Sequence, residues 1–521
     1  MPELQTQTGS DHDTVLALRL GPDDDVAVLT TDATSGAHVR VDRDVVRMIQ
    51  DIPRGHKIAL HPIAAGDPVR KYGQIIGFAT ATVSTGEHVH SHNLEFQTFS
   101  RAHAPGAGAR TTGLVAKNDR LSFDGIVRAD GRVATRNYLG ILTSVNCSAT
   151  VAKLIARHFS RPGLLDEFPG VDGIVALTHT GGCGMDGHGE GLEVLRRTLT
   201  GFARHPNFAG VLLVGLGCED NQAHALTEAW TQPAGTPLRV MTIQDEGGTT
   251  ATVDKGVACL SEMLPEANAA TRRPVPVSEL VLGLQCGGSD SFSGITANPA
   301  LGVAADLLVA QGGTAVLGET PEIYGAEHLL THRAVSPEVA DKLLELIAWW
   351  ESYTAANHGS MDNNPAPGNK AGGLTTILEK SLGAVAKGGS TNLTGVYGYA
   401  ELVTGRGLVF MDTPGYDPVS VTGMVAGGAN VVCFTTGRGS AFGCKPVPSL
   451  KLSTNTPLFL RMGDDMDLNC GTIVDGEVSV EEMGRRIFHA LVSTASGSKT
   501  RSELLGFGDE EFAPWQMGAV M

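Results

Sequence analysis

Two hydrophobic periodicities divide the chain. From about residue 120, short runs made almost wholly of Val, Ile, Leu and Gly alternate with stretches whose apolar residues recur every three or four positions. YLGILTSV precedes ATVAKLIARHF, DGIVALT precedes GLEVLRRTLTGFARH, AGVLLVGL precedes NQAHALTEAW, and LRVMTI precedes TATVDKGVACLSEML. A strand that is apolar on both faces is buried on both. Such strands alternating with amphipathic helices predict parallel βαβ units. The style returns after residue 275. There ELVLGLQ, GTAVLGE, GLVFMDT, NVVCFTTG and PSLKLST read as strands, and ALGVAADLLVAQ and VSPEVADKLLELIAWWESY as helices. Residues 10–100 differ: VLALRL, VAVLT and KIALHPI are short β-type segments punctuated by glycines,. The pattern predicts a multidomain α/β chain. A small, mostly-β domain spans 10–100 and an Ala/Gly/Pro-rich linker 101–118. Two α/β domains with largely parallel sheets then span 119–270 and 275–521.

Composition narrows the function classes. The 66 glycines among 521 residues follow no G-X-Y period, so the chain is not collagen-like,. A net charge of −17 argues against nucleic acid or an anionic membrane as partner,. It leaves room for a small anion in a local basic pocket. No apolar run reaches the roughly 18 residues of a membrane span. The N-terminal stretch MPELQTQTGSDHDTV lacks the apolar core of a secretion signal,. The expectation is a cytoplasmic protein whose eight cysteines are thiols, metal ligands or core residues rather than disulfides,.

The cysteines fall in a pattern. Cys147, Cys183, Cys218 and Cys286 each lie at or just past the carboxyl end of a predicted parallel strand, beside Gly or Ser. Ligands of open α/β sheets bind outside those ends. Free N–H groups and helix dipoles there favour anions and thiolates. One such cysteine reads as packing; four with the same placement read as a shared site. No C-x₂-C pair is present, so any metal they hold is assembled in three dimensions. Cys259, in a helix, and Cys433, in a strand, read as core.

Histidines and carboxylates form a second constellation. His88, His90 and His92 alternate in GEHVHSHN, which in a strand puts three imidazoles on one face,. That suits Fe, Mn or Zn, or a histidine-bearing loop that covers a substrate. His179 in THTGGCG sits at a strand end, where an imidazole serves as a general base or caps backbone groups. Glu319 and Asp290 also follow strands; there a carboxylate moves protons, ligates a hard cation or, for Asp290, caps a helix. Arg136, Lys370 and Arg438 lie in loops and are candidate carboxylate clamps, with Lys380 and Lys387 nearby,. The glycine-rich stretches lack the strand–turn–helix context of dinucleotide binding.

At these motifs the sequence resembles the altronate/galactarate dehydratase family of sugar-acid dehydratases. The stretches that carry the likeness are KYGQIIGFA with GEHVHSHN, DGRVATRNYLGILTSVNCS, THTGGCG, HPNFAGVLLVGLGCEDNQ, QCGGSDSFSGITANPALG, PGNKAGGLTTILEKSLG and FTTGRGSAFG. They cover nearly the whole chain. The resemblance implies an N-terminal SAF-type domain followed by two family-specific α/β domains. It implies dehydration of an aldonate or aldarate to a 2-keto-3-deoxy acid, with Fe²⁺ or Mn²⁺. GEHVHSHN is similar to the altronate side of the family, and MDLNCGTIVDGEVSVEEMGRRIF to the galactarate side.

The expected site therefore has His179 and Glu319 as acid and base. Arg136, Lys370, Arg438, Ser289 and Asp290 would hold the substrate. His88, His90, His92 and the thiols of Cys147, Cys183, Cys218 and Cys286 are the metal candidates. The thiols leave a single iron and an iron–sulfur cluster both open. The expected partner is a small anionic sugar acid, and a homo-oligomer is compatible with the chain. The alternative from another class is a non-catalytic relative that binds a sugar acid without turning it over.

Overall fold

The computed structural model describes residues 14–518 except 100, 102, 229 and 231. Residues 10–13 of the expected first domain and 519–521 of the last lie outside the described residues.

The N-terminal unit is all β. Six strands form one sheet in the order Asp44–Arg47, His38–Val41, Thr14–Leu18, Val26–Leu29, Lys57–Ala59, His88–Val89, and three more pair beside it. Alternation is clean where one face is wet: in His38–Val41 only Val39 and Val41 are buried,.

The second unit carries a four-stranded sheet in the order Gly173–Leu177, Tyr138–Thr143, Phe208–Gly215, Leu238–Thr242, parallel throughout. Its central strand Tyr138–Thr143 is buried at every position, as its unbroken apolar run requires. Helix Ala149–Phe159 turns Val151, Ala152, Ile155 and Phe159 inward, one stripe at helical spacing.

The third unit is a seven-stranded parallel sheet. Its order is Leu393–Tyr397, Gly407–Met411, Thr314–Leu317, Val281–Cys286, Val431–Thr436, Ser449–Ser453, Leu468–Asn469. The first strand in sequence, Val281–Cys286, thus has the second on one side and the fifth on the other. That reversal marks a topological switch point, where the carboxyl ends leave a crevice. In the second unit the equivalent point lies between Tyr138–Thr143 and Phe208–Gly215.

One element was not anticipated. Strands Ser122–Val127 and Arg272–Pro276 pair antiparallel at the two ends of the second unit. Arg272 Nη1 reaches the Ala495 carbonyl at 3.1 Å, which ties this ribbon to helix Val480–Ala495 of the third unit.

The seam between the first and third units is ionic and dry. Glu379 accepts from Lys57 Nζ at 2.9 Å and from Lys71 Nζ at 2.8 Å, all three side chains being essentially inaccessible. Lys57 also donates to the Gly373 carbonyl at 2.6 Å. Gly373 has φ +95°, and a Cβ there would run into the Gly55 carbonyl. The close approach of the two units therefore requires glycine at that position.

Candidate active site

The switch point of the third unit holds the densest chemistry. Strand Val281–Cys286 ends on the thiol of Cys286. The next two glycines are stitched to the neighbouring strand end: Gly287 N donates to Thr435 O at 3.0 Å, and Gly437 N and Arg438 N donate to Gly288 O at 3.1 and 2.8 Å. A cleft of ≈ 440 Å³ opens over this point, lined among others by Cys286, Glu322, Asn369, Lys380 and Asp417. That size suits a small metabolite.

Behind the cleft the groups form one network. Lys387 Nζ donates to Cys286 Sγ at 2.7 Å and to Glu319 Oε2 at 3.2 Å. Lys380 Nζ donates to Glu322 Oε1 at 2.7 Å. Gln285 Nε2 is shared between Glu319 Oε1 at 2.7 Å and Asp417 Oδ1 at 3.0 Å. Glu319 has φ +66° and is fully buried. An αL glutamate costs about 1 kcal/mol or more and persists where its surroundings hold it; here Thr413 Oγ1 receives its N–H at 2.7 Å.

The three carboxyls separate in acidity. Burial pushes Glu319 up, and the Glu322 charge adds to it. Burial acts the same way on Glu322, but the ammoniums of Lys380 and Lys387 prevail and hold it below the usual range. Asp417 is pushed up to about 6 by burial and by the Glu322 charge. Burial pushes the Cys286 thiol up against the pull of Lys387. At neutral pH Glu319 therefore carries a proton while Asp417 and Glu322 are ionised. Pairs of carboxyls driven apart in this way mark acid and base roles.

A second cluster belongs to the N-terminal unit and meets the PGNKAGG segment. His56 Nδ1 lies 2.9 Å from His88 Nε2, and the His88 and His90 rings stack with centroids 5.3 Å apart. His56 Nε2 is 3.4 Å from the Ala371 carbonyl. Helix Pro367–Ala371 thus meets the histidines through its Ala371 carbonyl and the cleft through Asn369, which lines it. Burial and the neighbouring cations lower His56, His88 and His90, the last two to about 3 and about 4. All three are neutral at pH 7, and His90 Nδ1 is buried with no hydrogen-bond partner.

Among the described residues, two groups of side chains thus bring metal-capable atoms within 4.8 Å of one another: His56, His88 and His90, and Cys286, Glu319 and Glu322. Neutral imidazoles with an unpartnered nitrogen fit a borderline divalent cation. In the thiol–carboxylate group, Lys387 and Lys380 already stand where a cation would.

The structure redistributes the residues expected from sequence. Glu319 and Cys286 meet at the switch point. His88 and His90 meet, but not because of strand alternation: the strand ends at Val89 and the chain turns. There His90 N donates to Asn93 Oδ1. His92 approaches His88 at 5.3 Å between centroids but is not one of the trio, whose third member is His56. Lys370 follows the lining residue Asn369, Arg438 N donates to the lining residue Gly288, and neither side chain forms an ion pair among the described residues. Ser289 is buried, its carbonyl taken by Asn369 Nδ2 at 2.8 Å. Asp290 accepts from Ser293, Thr454 and Asn455, which makes it a loop staple rather than a ligand group.

Two expectations are corrected by geometry. His179 has no free nitrogen: Nε2 donates to the Thr143 carbonyl at 2.9 Å and Nδ1 accepts from Gly181 N at 3.2 Å. Burial lowers it to about 4. It is a neutral brace between two strand ends, not an acid–base group. Arg136 is 1% exposed; its guanidinium grips Glu503 at 2.5 and 2.9 Å and donates to the carbonyls of Thr135, Thr494 and Ser498. Its donors are spent on the C-terminal segment, so none remains for a substrate. Cys147, Cys183 and Cys218 are exposed and belong to the second unit, whereas Cys286 is buried in the third.

Known proteins share this organisation. Residues 15–97 match the altronate/galactarate dehydratase SAF domain, 125–268 the second domain of D-galactarate dehydratase/altronate hydrolase, and 277–520 the C-terminal domain of D-galactarate/altronate dehydratase. An altronate dehydratase of Bacillus subtilis (strain 168) is 36% identical over 97% of this chain and 99% of its own length. A galactarate dehydratase (L-threo-forming) of Escherichia coli (strain K12) is 38% identical over 93% and 94%. The beta subunit of a (2R)-sulfolactate sulfo-lyase from Chromohalobacter salexigens is 32% identical over 74% and 95%. The chain belongs to the D-galactarate/altronate dehydratase family, and its activity class is that of a hydro-lyase.

Proposed function

We propose that this chain removes water from an aldonate of the D-altronate type to give a 2-keto-3-deoxy acid. The observation that carries the reading is the pair Asp417 and Glu319, bridged by Gln285 just behind the cleft at the switch point, with burial pushing Glu319 further up than Asp417. The Asp417 carboxylate takes the proton from C2. Protonated Glu319 gives its proton to the oxygen leaving C3, and water departs. As the enol becomes the ketone, Asp417 returns its proton to C3 and the enol hydroxyl re-protonates Glu319. Both groups end as they began.

Lys387 and Cys286 tune Glu319, and Lys380 faces the cleft as a hydrogen-bond donor to the departing oxygen. Arg438 and Lys370, exposed and half-buried at its edge, receive the substrate carboxylate. A C2 proton beside a carboxylate is weakly acidic. A divalent cation, Fe²⁺ or Mn²⁺, held by His56, His88 and His90 would supply the charge stabilisation that the enediolate needs.

The histidine trio favours an aldonate. The 38% identity to a galactarate dehydratase favours an aldarate as the second reading. A panel of aldonates and aldarates assayed for 2-keto acid separates the two. No turnover of any acid by metal-loaded protein overturns both and leaves a binding protein.

A further inference from the structure

Three of the eight cysteines break the ordinary rule for free thiols. Cysteine is among the most buried residue types, yet Cys147, Cys183 and Cys218 are all exposed. They follow three adjacent strands of the second unit: Tyr138–Thr143 at the centre, Gly173–Leu177 on one side and Phe208–Gly215 on the other. Neighbouring strands lie about 4.8 Å apart, so the three carboxyl ends fall within roughly 10 Å. They straddle the switch point of this second sheet.

The loops that carry the thiols are laced together at the residues beside each sulfur. Asn146 N donates to Gly181 O at 3.0 Å, and Asn221 N to Gly182 O at 3.0 Å. Asn221 Nδ2 donates to Ser144 O at 2.9 Å, and Gly184 N to Asp220 Oδ2 at 2.7 Å. Gly182 has φ +102°, and a Cβ there would strike the Ser144 carbonyl. The His179 brace described above holds the same two loops. Cys218 Sγ already accepts from Gln244 Nε2 at 3.4 Å, a donor supplied by the loop after the fourth strand. This much fixed geometry around three water-facing thiols is a built site.

The separation of the sulfurs argues against a single small ion. The three sulfurs do not all lie within 4.8 Å of one another. Thiolates around one zinc-sized ion sit about 2.3 Å from it, which brings them closer than that. A polynuclear iron–sulfur core is wider, and it is ligated by cysteine thiolates with amide donors to sulfur around it. We propose that Cys147, Cys183 and Cys218 hold an iron–sulfur cluster, with one iron not ligated by cysteine and open to solvent. This site is separate from the histidine trio and does not depend on the dehydration reading.

The test uses full-length protein purified without oxygen and reconstituted with ferrous iron and sulfide. The readouts are acid-labile sulfide, iron and the electron paramagnetic resonance signal of the reduced protein. Wild type should carry sulfide on the order of four per chain, as a [4Fe–4S] core requires. C147S, C183S and C218S should each lose most of that sulfide while keeping the wild-type circular dichroism spectrum and melting temperature. C444S should keep it, and H88A should keep the sulfide while binding less of the non-cluster iron. Absence of sulfide from reconstituted wild type overturns the proposal. So does sulfide that persists in all three serine variants. Iron bound at these thiols without sulfide would make the site mononuclear and refute the cluster.

Discussion

Replacing Glu379 with glutamine tests how the N-terminal unit is held to the catalytic one. Glu379 accepts from Lys57 Nζ at 2.9 and 3.2 Å, from Lys71 Nζ at 2.8 Å, and from Thr375 N and Oγ1 at 2.9 and 2.7 Å. At an effective dielectric of about 20, each charge contact near 3 Å contributes roughly 5–6 kcal/mol before desolvation is subtracted. Glutamine keeps the shape and loses the charge, which strands two ammoniums in a dry seam. Removing one partner of a buried ion pair costs about 3–5 kcal/mol. The lower end applies here because Lys57, lowered to about 8 by burial and held charged mainly by Glu379, can shed its proton.

The pH dependence has a definite sign. Burial alone would raise Glu379, but the Lys57 and Lys71 charges hold it far below its ordinary 4.5. Its stabilisation is therefore complete above pH 4.5 and fades as pH falls toward the folded value,. Urea unfolding at pH 7 should show the loss. Amide exchange should show its location, with opening of residues 54–59 and 371–379. The gap between wild type and E379Q should be level from pH 7 to 5 and shrink below about 4.5. A variant within about 1 kcal/mol of wild type at pH 7 would refute the argument, as would a gap indifferent to acid.

Three further outcomes follow from the site. D417N and E319Q should each lower kcat by about 10²–10⁴-fold. Wild-type kcat should be bell-shaped, rising as Asp417 ionises near about 6 and falling as Glu319 deprotonates near about 8; a flat profile between pH 5 and 9 removes the pair from the mechanism. H56A should lower divalent-metal content and kcat together, with folding intact; full metal content in H56A removes that histidine from the ligand set. R136A should cost about 3–5 kcal/mol of stability and leave KM unchanged in the folded fraction, whereas a raised KM without a stability loss would return Arg136 to the substrate.

The sheet strands of the two α/β units were legible because burial on both faces leaves an unbroken apolar signature. YLGILTSV and NVVCFTTG became Tyr138–Thr143 and Val431–Thr436, both buried throughout. The ribbon of Ser122–Val127 and Arg272–Pro276 was not legible. Its partners are about 150 residues apart, and Arg272–Pro276 holds two arginines and two prolines, which give no strand pattern,. His56 was missed for a related reason. It stands beside strand Lys57–Ala59, and only the antiparallel register of Lys57 with Val89 and Ile58 with His88 brings it to the GEHVHSHN turn. Strand pairing is the signal that could have found it.

The cysteine pattern shows where position along a strand stops informing function. All four thiols end strands, and the sequence treats them alike. The fold divides them by what lies behind each sulfur. Behind Cys286 is a lysine at 2.7 Å and two glutamates, and the residue lines the cleft. Burial there keeps the sulfur protonated, so it tunes Glu319 and is a poor ligand. Around Cys147, Cys183 and Cys218 are backbone N–H groups, an asparagine lacing and solvent, and no lysine is hydrogen-bonded to these thiols among the described residues. A positively charged inorganic core is the compensation such a trio lacks. The same strand-end placement thus serves proton transfer in one sheet and, on the cluster proposal, metal assembly in the other. Sulfide analysis of the three serine variants therefore tests the division itself, since C286S should alter the pH profile of kcat and leave the sulfide content at the wild-type value.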